Sequence, residues 1–97
     1  MSDAAPAPED GTVPLPVDGV LDLHTFRPQD VKHVVEDYLQ ACQERGIREV
    51  RVIHGKGIGE LRRTVHAFLK TCPLVESFAD ASQLYGGLGA TMVRLHR

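Results

Sequence analysis

The stretch Val50-Arg51-Val52-Ile53-His54-Gly55-Lys56-Gly57-Ile58-Gly59-Glu60-Leu61 decides how this chain folds. It reads as a short buried strand that turns on glycines into a helix, with a histidine and a lysine at the turn. The first N–H groups of a helix lack intrahelical partners and carry partial positive charge, so such a turn attracts anions. Lys56 adds a full charge there, and His54 adds a group that moves protons near neutral pH.

Working outward, an earlier strand over residues 20–24, Val20-Leu21-Asp22-Leu23-His24, also closes on a histidine. Pro28 suits the first turn of a helix running to about Arg45. Its apolar steps of three and four are Val31, Val34, Val35, Tyr38, Leu39 and Cys42. Gly46 ends it in the left-handed conformation. A second strand covers residues 49–53. A second helix starts at Ile58 or Gly59 and runs to about Lys70 on a stripe of Leu61, Val65, Phe68 and Leu69, with Pro73 stopping it. A strand at 75–79, a loop with Gly86, Gly87 and Gly89, and a cleanly alternating strand at 90–95 complete the order as an antiparallel hairpin. The βαβαββ order predicts an α/β chain of the α+β type: a two-layer sandwich with a four-stranded sheet and both helices on one face. Arg51 and Arg94, inside strands, are expected on the open face.

Composition bounds the rest. Ninety-seven residues make one small domain. Residues 1–11 (MSDAAPAPEDG) read as a disordered acidic Ala/Pro tail, and residues 12–19 (TVPLPVDG) as an extended arm, because Pro14 and Pro16 cannot donate to a ladder. The folded domain is expected over 20–97. The start lacks the basic and apolar regions of a secretory signal, and no run approaches the roughly 18 apolar residues of a membrane span. The net charge is −2, but four of the 13 acids (Asp3, Glu9, Asp10, Asp18) precede Val20 and none of the 11 bases does. From Val20 on, 11 bases face nine acids, a balance of +2. That excludes a nonspecific DNA coater and leaves local patches as the source of nucleic-acid affinity. Cys42 and Cys72 lie in no metal spacing; Cys42 falls on a helix stripe as a buried thiol, and the pair suggests a reducing cytoplasm.

Parallel strands end on one sheet edge, where ligands bind in open α/β sheets. His24 and His54 both arrive there, with the second helix and the alternating glycines Gly55, Gly57 and Gly59, which let a ligand approach the backbone. Arg62 and Arg63 oppose the dipole of that helix start, a conflict a bound phosphate would remove. The plainer readings are a tight strand-to-helix connection and a structural His24. Asp22 shares a face with His24 as an orienting partner or a solvated side chain. His33 and His66 lie off the helix stripes and read as surface residues.

Taken together, Leu21-Asp22-Leu23-His24, His54-Gly55-Lys56-Gly57 and Gly86-Gly87-Leu88-Gly89-Ala90-Thr91-Met92-Val93 resemble the three signatures of Smr (small MutS-related) domains, in order and spacing, over about residues 20–96. The resemblance implies a mixed four-stranded sheet similar to the C-terminal domain of translation initiation factor three. It further implies a stand-alone nucleic-acid-binding domain with endonuclease activity, on RNA or as DNA nicking, with the ribosome as a further partner and no membrane. The first signature commonly continues with Gly; here Thr25 stands in that place.

The expected chemistry is then phosphodiester cleavage with His24 and His54 as base and acid and Asp22 beside them. Gly55, Lys56, Gly57, Gly59, Arg62, Arg63, Gly86, Gly87 and Gly89 are the expected phosphate-binding set. The cluster offers too few carboxylates for two-metal chemistry, whose ions lie about 4 Å apart. RNA supplies its own 2′-OH, which favours RNA; a single Mg²⁺ on Asp22 would suit DNA. The alternatives are a non-catalytic nucleic-acid or ribosome-binding module and a plain interaction domain.

Overall fold

A computed structural model describes residues 17–55, 59–82, 84 and 87–97. The elements are β1 (Val20–Asp22), α1 (Val31–Glu44), β2 (Glu49–Ile53), α2 (Glu60–Thr71), β3 (Val75–Asp80) and β4 (Ala90–Leu95). The sheet order is β1-β2-β4-β3. β1 and β2 are parallel, with Leu21 opposite Val52 and Asp22 opposite Ile53. β4 is antiparallel to both of its neighbours, β2 and β3. The α2 crossover therefore skips one strand position, and the returning hairpin fills it.

One core cluster joins the helix stripes to a single face of the sheet. Val31, Val35, Tyr38, Leu39 and Cys42 of α1 and Val65 and Leu69 of α2 meet Leu21, Leu23, Val50, Val52, Val93 and Leu95. The alternate strand positions Asp22, Glu49, Arg51 and Arg94 take the open face, as their charges require. There Arg94 pairs with Glu49. Both cysteines are buried free thiols.

Several element bounds differ from the sequence expectation for local reasons. β1 stops at Asp22 because the Asp22 carboxylate accepts the His24 backbone N–H (3.0 Å) and turns the chain. Leu23 N–H still reaches the Ile53 carbonyl (2.9 Å). The segment Pro28–Asp30 is a 3₁₀ turn, so α1 begins at Val31. Gly46, at φ 77°, ends α1, with Ile47 N–H on the Cys42 carbonyl (2.9 Å). α2 begins at Glu60, after Gly59 at φ 82°, and β3 runs one residue further, to Asp80.

The Tyr38 hydroxyl anchors the approach to β1: it accepts the N–H groups of Gly19 and Val20, both at 3.1 Å. Val17 packs on the core just before it. The expected tail and most of the expected arm, residues 1–16, lie outside the described residues. Among the described residues no helix is long and apolar enough to cross a membrane.

Candidate functional site

Strand directions gather one edge of the sheet. β1 ends there at Asp22 and β2 at Ile53; β4 begins there at Ala90, opposite Ile53; β3 ends there at Asp80, opposite Thr91. The N-terminus of α2 lies at the same edge because it follows β2. The Gly87–Gly89 turn joins it directly: the Gly89 carbonyl accepts the N–H groups of His54 (3.0 Å) and Gly55 (2.8 Å). The second and third signatures are thus hydrogen-bonded neighbours.

His24 and Asp22 form an exposed dyad on the open-face side. His24 Nδ1 lies 2.7 Å from Asp22 Oδ1, and the side chains are 75% and 47% exposed. The His24 backbone N–H, and then its ring, hold the Asp22 carboxyl below the usual carboxylate range. A carboxylate only accepts, so Nδ1 carries a proton, and Nε2 is left as the nitrogen that can take or give one. Among the described residues Nε2 has no hydrogen-bond partner.

His54 goes elsewhere, and the expectation of two imidazoles closing on one anion is corrected here. Alternation along β2 sends Val52 and then His54 to the helix-covered side, whereas Asp22 takes the opposite side. His54 is 8% exposed. Its Nε2 lies 2.9 Å from Thr91 Oγ1, and its Nδ1 lies 3.2 Å from the Gly55 carbonyl oxygen. Burial, more than the nearby Arg62 charge, pushes its pKa down and so disfavours the charged ring.

His66, expected on the surface, belongs to the same cluster. Its Nε2 lies 2.8 Å from Thr91 Oγ1, and its ring meets Phe78 edge-on at 5.0 Å between centroids. Burial lowers its pKa as well. Two signals pointed to this cluster: Thr91 occupies an inward position of β4 in step with Val93 and Leu95, and His66 sits four residues after Arg62, one helical turn on. Asp80 stands at the end of a half-exposed strand, where no sequence motif marks it.

The expected phosphate-binding residues divide. Arg62 is held by Asp80, with Nη2 at 2.7 and 2.8 Å from the two carboxylate oxygens. Arg63 reaches Glu60 at 3.2 Å from a side chain 75% exposed, a pair that solvent leaves weak. Gly55 (φ 84°) and Gly59 (φ 82°) need the left-handed backbone, and a Cβ at either would meet nothing within 4 Å among the described residues. Lys56, Gly57 and Gly86 lie outside the described residues. Among the described residues no three His, Cys, Asp or Glu side chains converge as a metal cluster.

Comparison with known proteins agrees with this fold. The model of the Smr domain family matches residues 21–96. The chain is 39% identical over 79 residues to endonuclease MutS2 of Thermomicrobium roseum, covering 81% of this chain and 10% of that protein. It is 43% identical over 76 residues to endonuclease MutS2 of Solidesulfovibrio magneticus, covering 78% and 10%. The chain thus spans about a tenth of the length of these curated relatives. Among solved structures, the Smr domain of Thermus thermophilus MutS2 superposes with a TM-score of 0.78 at 34% identity, over 82% of this chain and all of that one. YdaL, a stand-alone small MutS-related protein from Escherichia coli, gives 0.75 at 27% identity, over 81% and 65%. Motifs, strand order and likeness along nearly the whole folded part agree, and the chain belongs to the Smr domain family.

Proposed function

We propose that this Smr domain engages the phosphates of a nucleic acid at the edge formed by Asp22, His24, Gly55, Gly59 and the Gly87–Gly89 turn, and cleaves a phosphodiester bond there. The observation that carries the proposal is the exposed His24 ring, seated on Asp22 with Nε2 left for a substrate. His24 takes the proton of the attacking hydroxyl, a 2′-OH in RNA or a water in DNA, and Asp22 stabilises the imidazolium that forms. The leaving oxygen takes its proton from solvent. The α2 N-terminus offers N–H groups to the phosphoryl oxygens. Arg63 exchanges a weak surface pair for a phosphate. His54 plays a positioning part from beneath. The name of the curated relatives, endonuclease MutS2, supports cleavage over binding alone.

Asp22 is half exposed and has one carboxylate oxygen taken by His24, so the other fits a Mg²⁺ that keeps most of its waters. Such an ion would polarise a phosphoryl oxygen. A second reading, binding without cleavage to RNA of the ribosome or elsewhere, draws support from the burial of His54, which leaves His24 as the exposed member of the two expected imidazoles.

The test incubates the full chain and its His24→Ala variant with single-stranded RNA and with supercoiled DNA, each with and without EDTA, and measures binding across salt. The proposal expects product from the wild type and about 10²–10⁴-fold less from His24→Ala, with binding retained. Salt-sensitive binding without product supports the second reading. Absence of binding overturns both.

A further inference from the structure

We propose that Thr91 is a positioning residue: its hydroxyl, set between the His54 and His66 rings, fixes which nitrogen of His54 carries the proton and so holds the turn at Gly55 in register with the Gly87–Gly89 turn. The proposal deepens the reading of this edge as the phosphate-engaging site and rests on that reading for its functional consequence alone.

Three contacts and one hydroxyl proton determine the arrangement. The Gly55 carbonyl only accepts, so His54 Nδ1, at 3.2 Å, must donate to it. A neutral His54 then has a lone pair on Nε2, and Thr91, at 2.9 Å, donates its single proton there. With that proton used, Thr91 Oγ1 is an acceptor toward His66, whose Nε2–H donates at 2.8 Å. The chain therefore runs in one direction: His66 Nε2–H to Thr91 Oγ1, Thr91 O–H to His54 Nε2, His54 Nδ1–H to the Gly55 carbonyl. It links α2, β4 and the end of β2.

Burial makes this arrangement binding. Thr91 is fully buried and His54 nearly so. A proton added to His54 Nε2 would make both rings donors to one oxygen, leaving the Thr91 hydroxyl proton without an acceptor among the described residues. The other groups facing the cluster are Arg62 and Lys70 of α2 and Asp80 of β3, whose Oδ1 lies 3.9 Å from His66 Nε2. Arg62 and Lys70 disfavour a charged ring; Asp80 favours one but is engaged by Arg62. The backbone carries the effect outward, because the N–H groups of His54 and Gly55 both end on the Gly89 carbonyl. A His54 ring released from Thr91 frees the Gly55 carbonyl and loosens both turns.

Nitrogen-resolved NMR of the imidazoles in the full chain at neutral pH tests the assignment. The expected result is His54 protonated at Nδ1 and His66 at Nε2. Thr91→Val keeps the side-chain shape and removes the hydroxyl; it should change the His54 ring nitrogens and the Gly55 and Gly89 amides, and Thr91→Ser should restore them. RNA affinity should fall about tenfold in Thr91→Val, the equivalent of one buried hydrogen bond, and recover in Thr91→Ser. His54 protonated at Nε2 in the wild type overturns the proposal, as do His54 ring signals unmoved by Thr91→Val. Should Thr91→Val not fold, the wild-type protonation pattern and Thr91→Ser decide. Absence of RNA binding by every form would count against the site reading and leave the ring assignment standing.

Discussion

Replacing Tyr38 by Phe removes one oxygen and tests how the start of β1, and with it the His24–Asp22 dyad, is held. The N–H groups of Gly19 and Val20 at 3.1 Å and of Asp18 at 3.2 Å share the two lone pairs of the hydroxyl, and its proton faces the Val20 carbonyl at 3.0 Å and Asp18 Oδ1 at 3.2 Å. Val20 N–H has a second acceptor, Asp18 Oδ1 at 3.1 Å, and Asp18 is exposed to water. Gly19 is buried, and among the described residues its N–H has no second acceptor. The loss is therefore one net hydrogen bond, about 1 kcal/mol, plus a stranded buried donor at about 1–3 kcal/mol. The sum is about 2–4 kcal/mol. For a domain of this size that lowers the melting midpoint by about 8–32 °C. Urea unfolding of the full chain gives the stability loss, and amide exchange shows its location, with Gly19 and Val20 losing most protection. A loss below about 0.5 kcal/mol with unchanged protection at Gly19 would refute the reasoning.

Four further outcomes follow from the same structure. Asp22→Asn keeps the shape of the dyad but removes the charge behind His24, and should lower cleavage about 10²-fold or more with nucleic-acid binding retained, read by single-turnover assay. Stability should fall on acidification from about pH 7 toward 5: His54 and His66 have folded pKa values below the ordinary 6.5, so the unfolded chain binds more protons in that window. Urea midpoints against pH check this, and Asp22, whose lowered pKa acts only as pH falls toward and below 3.8, contributes separately. Gly59→Ala forces a side chain into the left-handed region before α2 and should cost about 1–2 kcal/mol in thermal unfolding. Leu39→Ala, at a position with no exposure, should cost about 2–5 kcal/mol in the same measurement.

The fold was legible because each apolar residue sits at the period its element requires. The α1 stripe of Val31, Val35, Leu39 and Cys42 and the β4 alternation of Val93 and Leu95 leave one packing solution. Local polar groups decided the bounds: Asp22 ended β1 by bonding the backbone of His24, and no propensity pattern encodes that contact. The site was legible as an edge and as a set of residue types. It was not legible as a geometry, because strand alternation places His54 inward while the turn after β1 keeps His24 out. His66 read as surface since helical periodicity ranks positions by the stripe and ignores what a polar side chain meets from another element. Arg62 offered a free cation in sequence, and Asp80, 18 residues on, claims it.

Nucleic-acid phosphate should meet this molecule at the edge carrying His24 and Asp22. Titration of a short single-stranded RNA into the isotope-labelled chain, followed through backbone amide shifts, tests it most directly. The shifts should cluster on Asp22, His24, Thr25, Gly55, Gly59, Arg63 and Gly87, while the open-face positions Arg51 and Arg94 stay still. Shifts centred on Arg51 and Arg94 instead, or none at low salt, would contradict it.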